Sequence, residues 1–146
     1  MLSQVDYDNI MKSLKSFEDK SIINLSDKKK INRILKSQSS NDSFILNIDR
    51  GTINIRKIKY QTRHNSTNTI LLRIDTHGPR HQNPDGEYID CPHIHIFKEH
   101  CDDKWAYPLD SNIFKNPNDF LELLKDFLIY FNVKDIPDII NLETCI

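Results

Sequence analysis

The chain predicts an α+β fold: an antiparallel sheet of about five strands flanked by an N-terminal and a C-terminal helix. Three observations predict it. Apolar residues recur at three- and four-residue intervals near both ends, at Tyr7, Ile10, Met11, Leu14 and Phe17 and again at Phe120, Leu124, Phe127, Leu128 and Phe131. Between these stretches the apolar residues alternate in twos, as in Phe44, Leu46 and Ile48. The alternating segments are joined by short polar links, which suit an antiparallel meander.

Ser3 and Asp6 stand where a capping box would open the first helix, with Asp in place of the usual Glu or Gln. Its stripe predicts a helix within residues 1–20, ending near Phe17–Lys20. Residues 21–41 admit two readings. Ile31, Ile34 and Leu35 fit a helical face, but the turn-rich Ser37–Asp42 leads straight into the next strand and favours a strand over Ile31–Lys36. Ile53 and Ile55 continue the alternation beyond Gly51, and Ile58 and Tyr60 change phase, so a bulge is expected near Arg56 and Lys57. Ile70, Leu72 and Ile74 mark another strand, and Ile89 to Phe97 a further one. Trp105–Leu109 reads as a short extended segment placed at an edge by Pro108. Asn116 with Pro117 is expected to open the last helix over residues 116–132, with a frayed tail over 133–146.

With 146 residues, 38% hydrophobic and 28% charged, the chain suits one domain able to bury its own core. No apolar run approaches the roughly 18 residues of a membrane span. The start lacks a basic and apolar leader, so the cytoplasm is the expected location. Three cysteines in that setting read as reduced thiols or metal ligands. The net charge of −1 sets up no global attraction for nucleic acid, so direct nucleic-acid binding is not expected. The charge is unevenly spread, at +3 over residues 1–40 and −4 over 41–146.

Chemistry-bearing residues concentrate in one stretch. His77, His81, Cys91, His93, His95, His100 and Cys101 fall within 25 residues, far more densely than isolated hydrogen-bonded histidines would. Residues two apart on a strand share a face, so His93 and His95 can approach one ion, with Cys91 and Glu99 in the same phase if the strand stays regular. Zinc takes four ligands from nitrogen and sulfur, and imidazole with thiolate selects it over magnesium or calcium. The expected set is His93 and His95, then His81, with Cys91 and Cys101 competing for the fourth place. His77 is a further candidate. Asp85 or Glu99 could serve as acid or base beside such an ion.

Known motifs fit incompletely. His93-x-His95-x-x-x-Glu99 matches the first metal motif of cupin barrels, but the glycine-rich lead-in and the second histidine motif are absent. Phe97 stands where the histidine-triad hydrolases place their third His. The ordered segments Asp49-Arg50-Gly51, Tyr60-Gln61-x-Arg63, Leu72-Arg73-x-Asp75, His81-x-Asn83-Pro84-Asp85-Gly86, Pro92-His93-x-His95 and Lys104-Trp105-Ala106-x-Pro108-Leu109 are shared more fully. Over roughly residues 20–132 the chain resembles a family of bacteria, their prophages and mobile elements that supplies no agreed activity. It departs from that family at Glu99-His100-Cys101, where other members carry Glu-Gly. In size and in its His/Cys cluster, though in no motif, it is also similar to phage-carried inhibitors of CRISPR–Cas effectors, some of which hold structural zinc. That similarity implies a zinc-binding interaction protein whose partner is a Cas9-type effector nuclease. The residues alone leave a metal-dependent nuclease or phosphoester hydrolase as the alternative, acting through His81, His93 and His95.

Overall fold

Alternation along the central strands gives the sheet two unlike faces, and this asymmetry organises the molecule. The computed structural model describes residues 1–51 and 57–141. Helix α1 (Gln4–Lys12) is followed by strands β1 (Lys15–Phe17), β2 (Ile23–Asn24), β3 (Lys30–Ser37), β4 (Ser43–Arg50), β5 (Ile58–His64) and β6 (Thr69–Asp75). Then come β7 (His81–Gln82), β8 (Tyr88–Ile89), β9 (His93–Ile96), β10 (Ala106–Pro108), helix α2 (Phe120–Tyr130) and β11 (Ile139–Ile140). The main sheet is wholly antiparallel, in the order β1-β3-β4-β5-β6-β9-β10.

The sheet has seven strands where about five were expected. The additions are the two short edges. Lys15–Phe17 pairs with Leu35–Ser37, so α1 ends at Lys12 and Phe17 is buried from a strand rather than from a helix. Backbone pairing with an open sheet edge outcompetes another helical turn through serines 13 and 16, which are indifferent helix formers. The segment at Ala106–Pro108 pairs with His93–His95 and closes the other edge. The strand over Ile31–Lys36 is present within β3. The register shift falls between Thr62 and Arg63, while Ile53, Ile55 and the bulge expected at Arg56 lie outside the described residues.

Both helices cover the apolar face. Phe44, Leu46, Ile48, Ile58, Tyr60, Leu72 and Ile74 are buried there beneath Leu123, Leu124, Phe127 and Leu128 of α2. The Tyr60 hydroxyl donates to the Phe120 carbonyl at 2.8 Å, and the ring of Phe131 meets Phe44 edge-on at 5.3 Å. Each such fully buried side chain contributes about 1.5–3 kcal/mol of transfer free energy. Helix α2 is capped by Asp119, whose carboxylate accepts from Leu121 and Glu122 amides, rather than by Asn116. An ionised side chain at the N-cap also favours the positive end of the helix dipole, which a neutral Asn does not. Helix α1 keeps the expected box: Asp6 N–H donates to Ser3 Oγ and Ser3 N–H to Asp6 Oδ2. The tail is less frayed than expected, because Ile139 and Ile140 pair in parallel with Ile23 and Asn24. No helix among the described residues is long and apolar enough to cross a membrane.

Candidate metal centre

The second face of the sheet carries the polar phase of the same strands. In β6 the apolar partners Leu72 and Ile74 face the core, so Arg73 and Asp75 must face away from it. Antiparallel register then sets Asp75 opposite His93 and Arg73 opposite His95. Four polar side chains are thereby gathered on two adjacent strands, in a region where solvent is largely excluded. His93 and His95 are 2% and 1% exposed, and Asp75 is 9% exposed.

Asp75 Oδ2 lies 3.3 Å from His93 Nε2 and 3.2 Å from His95 Nε2. The ligand atoms of the three residues all lie within 4.8 Å of one another, an arrangement that could hold a metal ion. Two bonds of 2.0–2.1 Å at a tetrahedral angle separate their donor atoms by about 3.3 Å, so both spacings to the carboxylate fit a shared ion.

Behind the rings, the other nitrogens are already committed. His95 Nδ1 lies 2.8 Å from the Asp103 carbonyl, and His93 Nδ1 lies 3.2 Å from the carbonyls of Ile89 and Asp90. A carbonyl can only accept, so each Nδ1 carries the proton. In the neutral form of each ring Nε2 turns a lone pair toward the carboxylate oxygen, and in the protonated form it donates to that oxygen. In the neutral form those lone pairs crowd one another unless a cation lies nearby, and Arg73 Nη2, 3.0 Å from His95 Nε2 and 3.2 Å from Asp75 Oδ2, is the one the chain itself brings. Backbone carbonyls that fix the tautomer from behind are the usual second support of a metal-ligating histidine. Asp75 Oδ1 is buried and accepts no hydrogen bond, leaving coordination capacity unused.

Arg73 supplies the fixed positive charge of the cluster. Its Nη2 lies 3.0 Å from His95 Nε2 and 3.2 Å from Asp75 Oδ2, and its Nη1 lies 2.9 Å from Asp103 Oδ2. Burial alone would raise the carboxyl pKa of Asp75. Hydrogen bonds that the protonated form of His93 and His95 donates, together with the nearby guanidinium, outweigh this and hold it well below the usual carboxylate range. Asp75 is therefore an anion at neutral pH, as a ligand must be.

His81 reaches the cluster from outside the main sheet. The turn Asn83–Gly86 folds β7 onto β8, with Pro84 at its second position and Gly86 at φ +93°. Asn83 then grips the outer edge of β10, donating to the Ala106 carbonyl at 2.9 Å and accepting from its amide at 2.8 Å. This lays the His81 ring edge-on to His95, with centroids 4.6 Å apart, and its Nε2 lies 2.6 Å from the Lys104 carbonyl. Nδ1 is left as the lone-pair nitrogen of His81.

The remaining candidates are placed apart from the three ligand atoms. Cys91 Sγ sits 3.7 Å from His93 Nδ1, on the far side of the ring from Asp75. Burial and the Asp75 carboxylate push its thiol pKa up, so it is the protonated form that stands there. Cys101 belongs to the turn between β9 and β10, where its amide bonds the Lys98 carbonyl, and it is not in the metal-compatible group. His100 is exposed on the same turn beside Glu99, and His77 is exposed on the rim with Nδ1 near Thr76 Oγ1. Glu99 does not share a face with the histidines because β9 ends at Ile96. It accepts from the Gln4 amide at 2.6 Å, at the first turn of α1. Asp85 accepts from the Glu87 amide in the hairpin turn.

Sequence reasoning did not place Asp75 or Arg73 with the metal-ligating candidates, although both stand in the Leu72-Arg73-x-Asp75 segment. Their signal was present as two charges in phase on a strand whose other phase is Leu72 and Ile74. In front of the cluster lies a cleft of about 270 Å³, floored by Asp75, His93 and His95 and rimmed by Lys57, Lys59 and Arg80. Comparison with curated proteins and with solved structures gives no match. A family model does match, over residues 2–133, which takes in both helices and every strand of the main sheet. The chain belongs to the family of unknown function DUF6978.

Proposed function

We propose that this protein is a zinc-dependent hydrolase of phosphoesters, with Asp75, His93 and His95 holding the ion. One observation carries the reading: three acceptor atoms converge at the floor of a cleft whose rim is cationic. Two imidazoles and one carboxylate leave a coordination position for water, the pattern of catalytic rather than structural zinc. When bound, the ion supplies a Lewis acid and a water acidified toward neutral pH.

The chain's own residues have separate tasks. Lys57, Lys59 and Arg80 neutralise and orient an anionic group entering the cleft. The carbonyls of Asp103, Ile89 and Asp90 hold the ligand rings in the right tautomer. His81, edge-on to His95, is placed to exchange a proton with the leaving group or to complete the ligand set. An inhibitor of a Cas9-type effector is the second reading, and it calls for a closed structural zinc. Cys101 stands apart from the cluster and Cys91 lies behind His93, which favours the open site.

The test is metal analysis of the purified protein together with turnover of bis(p-nitrophenyl) phosphate, before and after chelation. About one zinc per chain, with turnover lost on chelation and in His95→Ala, supports the hydrolase. Zinc without turnover, but with a large fall in melting temperature on chelation, supports the interaction module instead. Iron in place of zinc overturns the hydrolytic assignment, since the same donor set serves Fe(II). No metal in any preparation removes both readings.

A further inference from the structure

The polar face of the sheet extends well beyond the metal centre. Strand register lines its residues up in two transverse rows. One runs Asn32, Asn47, Gln61, Arg73, His95, each directly opposite the next on β3, β4, β5, β6 and β9. The other runs Lys30, Asp49, Lys59, Asp75, His93 across the same strands. Both rows begin at β3 and end on the histidines.

The first row is a chain of amides. Asn47 Nδ2 donates to Asn32 Oδ1 at 2.7 Å, Gln61 Nε2 donates to Asn47 Oδ1 at 3.1 Å, and Arg63 Nε donates to the same oxygen at 3.2 Å. A groove of about 400 Å³ runs over these residues, with Lys30, Lys59, Arg63 and Arg73 along it. Lys59 and Arg73 also line the cleft at the metal centre, so the two hollows are continuous through them. Among the described residues Lys30, Lys57 and Lys59 make no ion pair within 4.0 Å. Arg73 is paired with Asp75 and Asp103. Among the described residues Lys30, Lys59 and Arg63 line the groove without an ion pair, against one carboxylate, Asp49. This excess of positive charge over a surface of amides suits a ligand carrying repeated negative charge. The lining of the groove contains no aromatic ring, so it offers no platform on which bases could stack.

We propose that this groove binds the sugar–phosphate backbone of a polynucleotide strand and delivers one of its phosphates to the metal centre. The inference rests on the hydrolase reading for what happens at the ion, but not for the binding itself. Lys30 and Arg63 hold phosphates distant from the ion, Lys59 holds the one next to it, and the amides meet sugar and phosphate oxygens. Without base stacking or base-edge contacts, binding is indifferent to sequence and depends steeply on salt.

Fluorescence anisotropy with labelled oligothymidylate and oligouridylate, in chelator so that no cleavage occurs, tests this. Lys30→Glu/Arg63→Glu removes two of the groove's cations without touching the ligands. Wild type is expected to bind both oligomers, with affinity falling by about 0.7 logarithmic units per phosphate contact for each tenfold rise in salt. The double variant is expected to bind at least tenfold more weakly, with a shallower salt slope and unchanged zinc content. No binding by wild type, equal binding by the double variant, or equally tight binding of labelled polyglutamate overturns the proposal. Zinc content and bis(p-nitrophenyl) phosphate turnover of the same preparations report on the hydrolase reading separately. A protein that turns over the small diester but binds no oligomer loses only the polynucleotide inference.

Discussion

Two imidazoles that both donate backward to main-chain carbonyls have, in their neutral form, nothing left to donate forward. That constraint is what makes Asp75 informative, because its carboxylate brings only lone pairs to the same point. Asp75→Asn separates the two roles of the residue. The amide can donate to an Nε2 and relieve the crowding of acceptors, while the anionic ligand is lost. The variant is expected to bind zinc at least tenfold more weakly, about 1.4 kcal/mol or more. Glu99→Gln, which alters a contact with Gln4 rather than the cluster, is the control and is expected to bind zinc as wild type does. Calorimetric zinc titration of the two variants checks both expectations. Equal zinc affinity in wild type and Asp75→Asn would remove Asp75 from the ligand set.

At the scale of elements, the centre is held together by a hairpin that contributes little area of its own. The β7–β8 hairpin has two residues in each strand and reaches the main sheet through Asn83. That side chain acts as a substitute strand, satisfying both the amide and the carbonyl of Ala106 on an edge. Asn83→Ala leaves those buried groups without partners, which costs about 2–3 kcal/mol. It also frees His81 from its place against His95. Chemical denaturation is expected to report the loss, and zinc affinity or turnover is expected to fall with it. A full loss of stability with unchanged activity would confine His81 to a structural part.

For the whole molecule, the pH dependence of stability centres on a lysine outside the candidate metal centre. Lys15 is buried between the end of α1 and the end of α2. Its ammonium donates to the carbonyls of Ser13 and Phe131 at 2.8 and 2.7 Å and lies 4.1 Å from the Phe131 ring centroid. Burial lowers its pKa to about 7. The unfolded chain holds this proton up to a pH of about 10.4. The unfolded state therefore binds more protons between those values, and stability rises with pH across that window. Below pH 7 both states are charged and the burial penalty is fully present. The slope is at most about 1.4 kcal/mol per pH unit from this group. Denaturant melts of wild type and Lys15→Met from pH 6 to 10 are expected to show that rise in wild type and its loss in the variant. Parallel curves for the two proteins would remove Lys15 as its source.

Local pattern alone determined the two helices, the alternating meander and the strand that carries His93 and His95. Those features follow from periodicities of 3.6 and 2, which are written in consecutive residues. The capping box at Ser3 and Asp6 was legible for the same reason. Only tertiary structure decided which residues complete the site. Asp75 is brought to His93 by strand register across 18 positions of sequence, and His81 to His95 by the grip of Asn83 on a distant edge. Cys101 and Glu99 lie close to the histidines in sequence, yet β9 stops at Ile96 and the turn that follows carries both away. Nearness along the chain survives only while the strand stays regular. Nearness across the sheet depends on pairing that no single segment specifies.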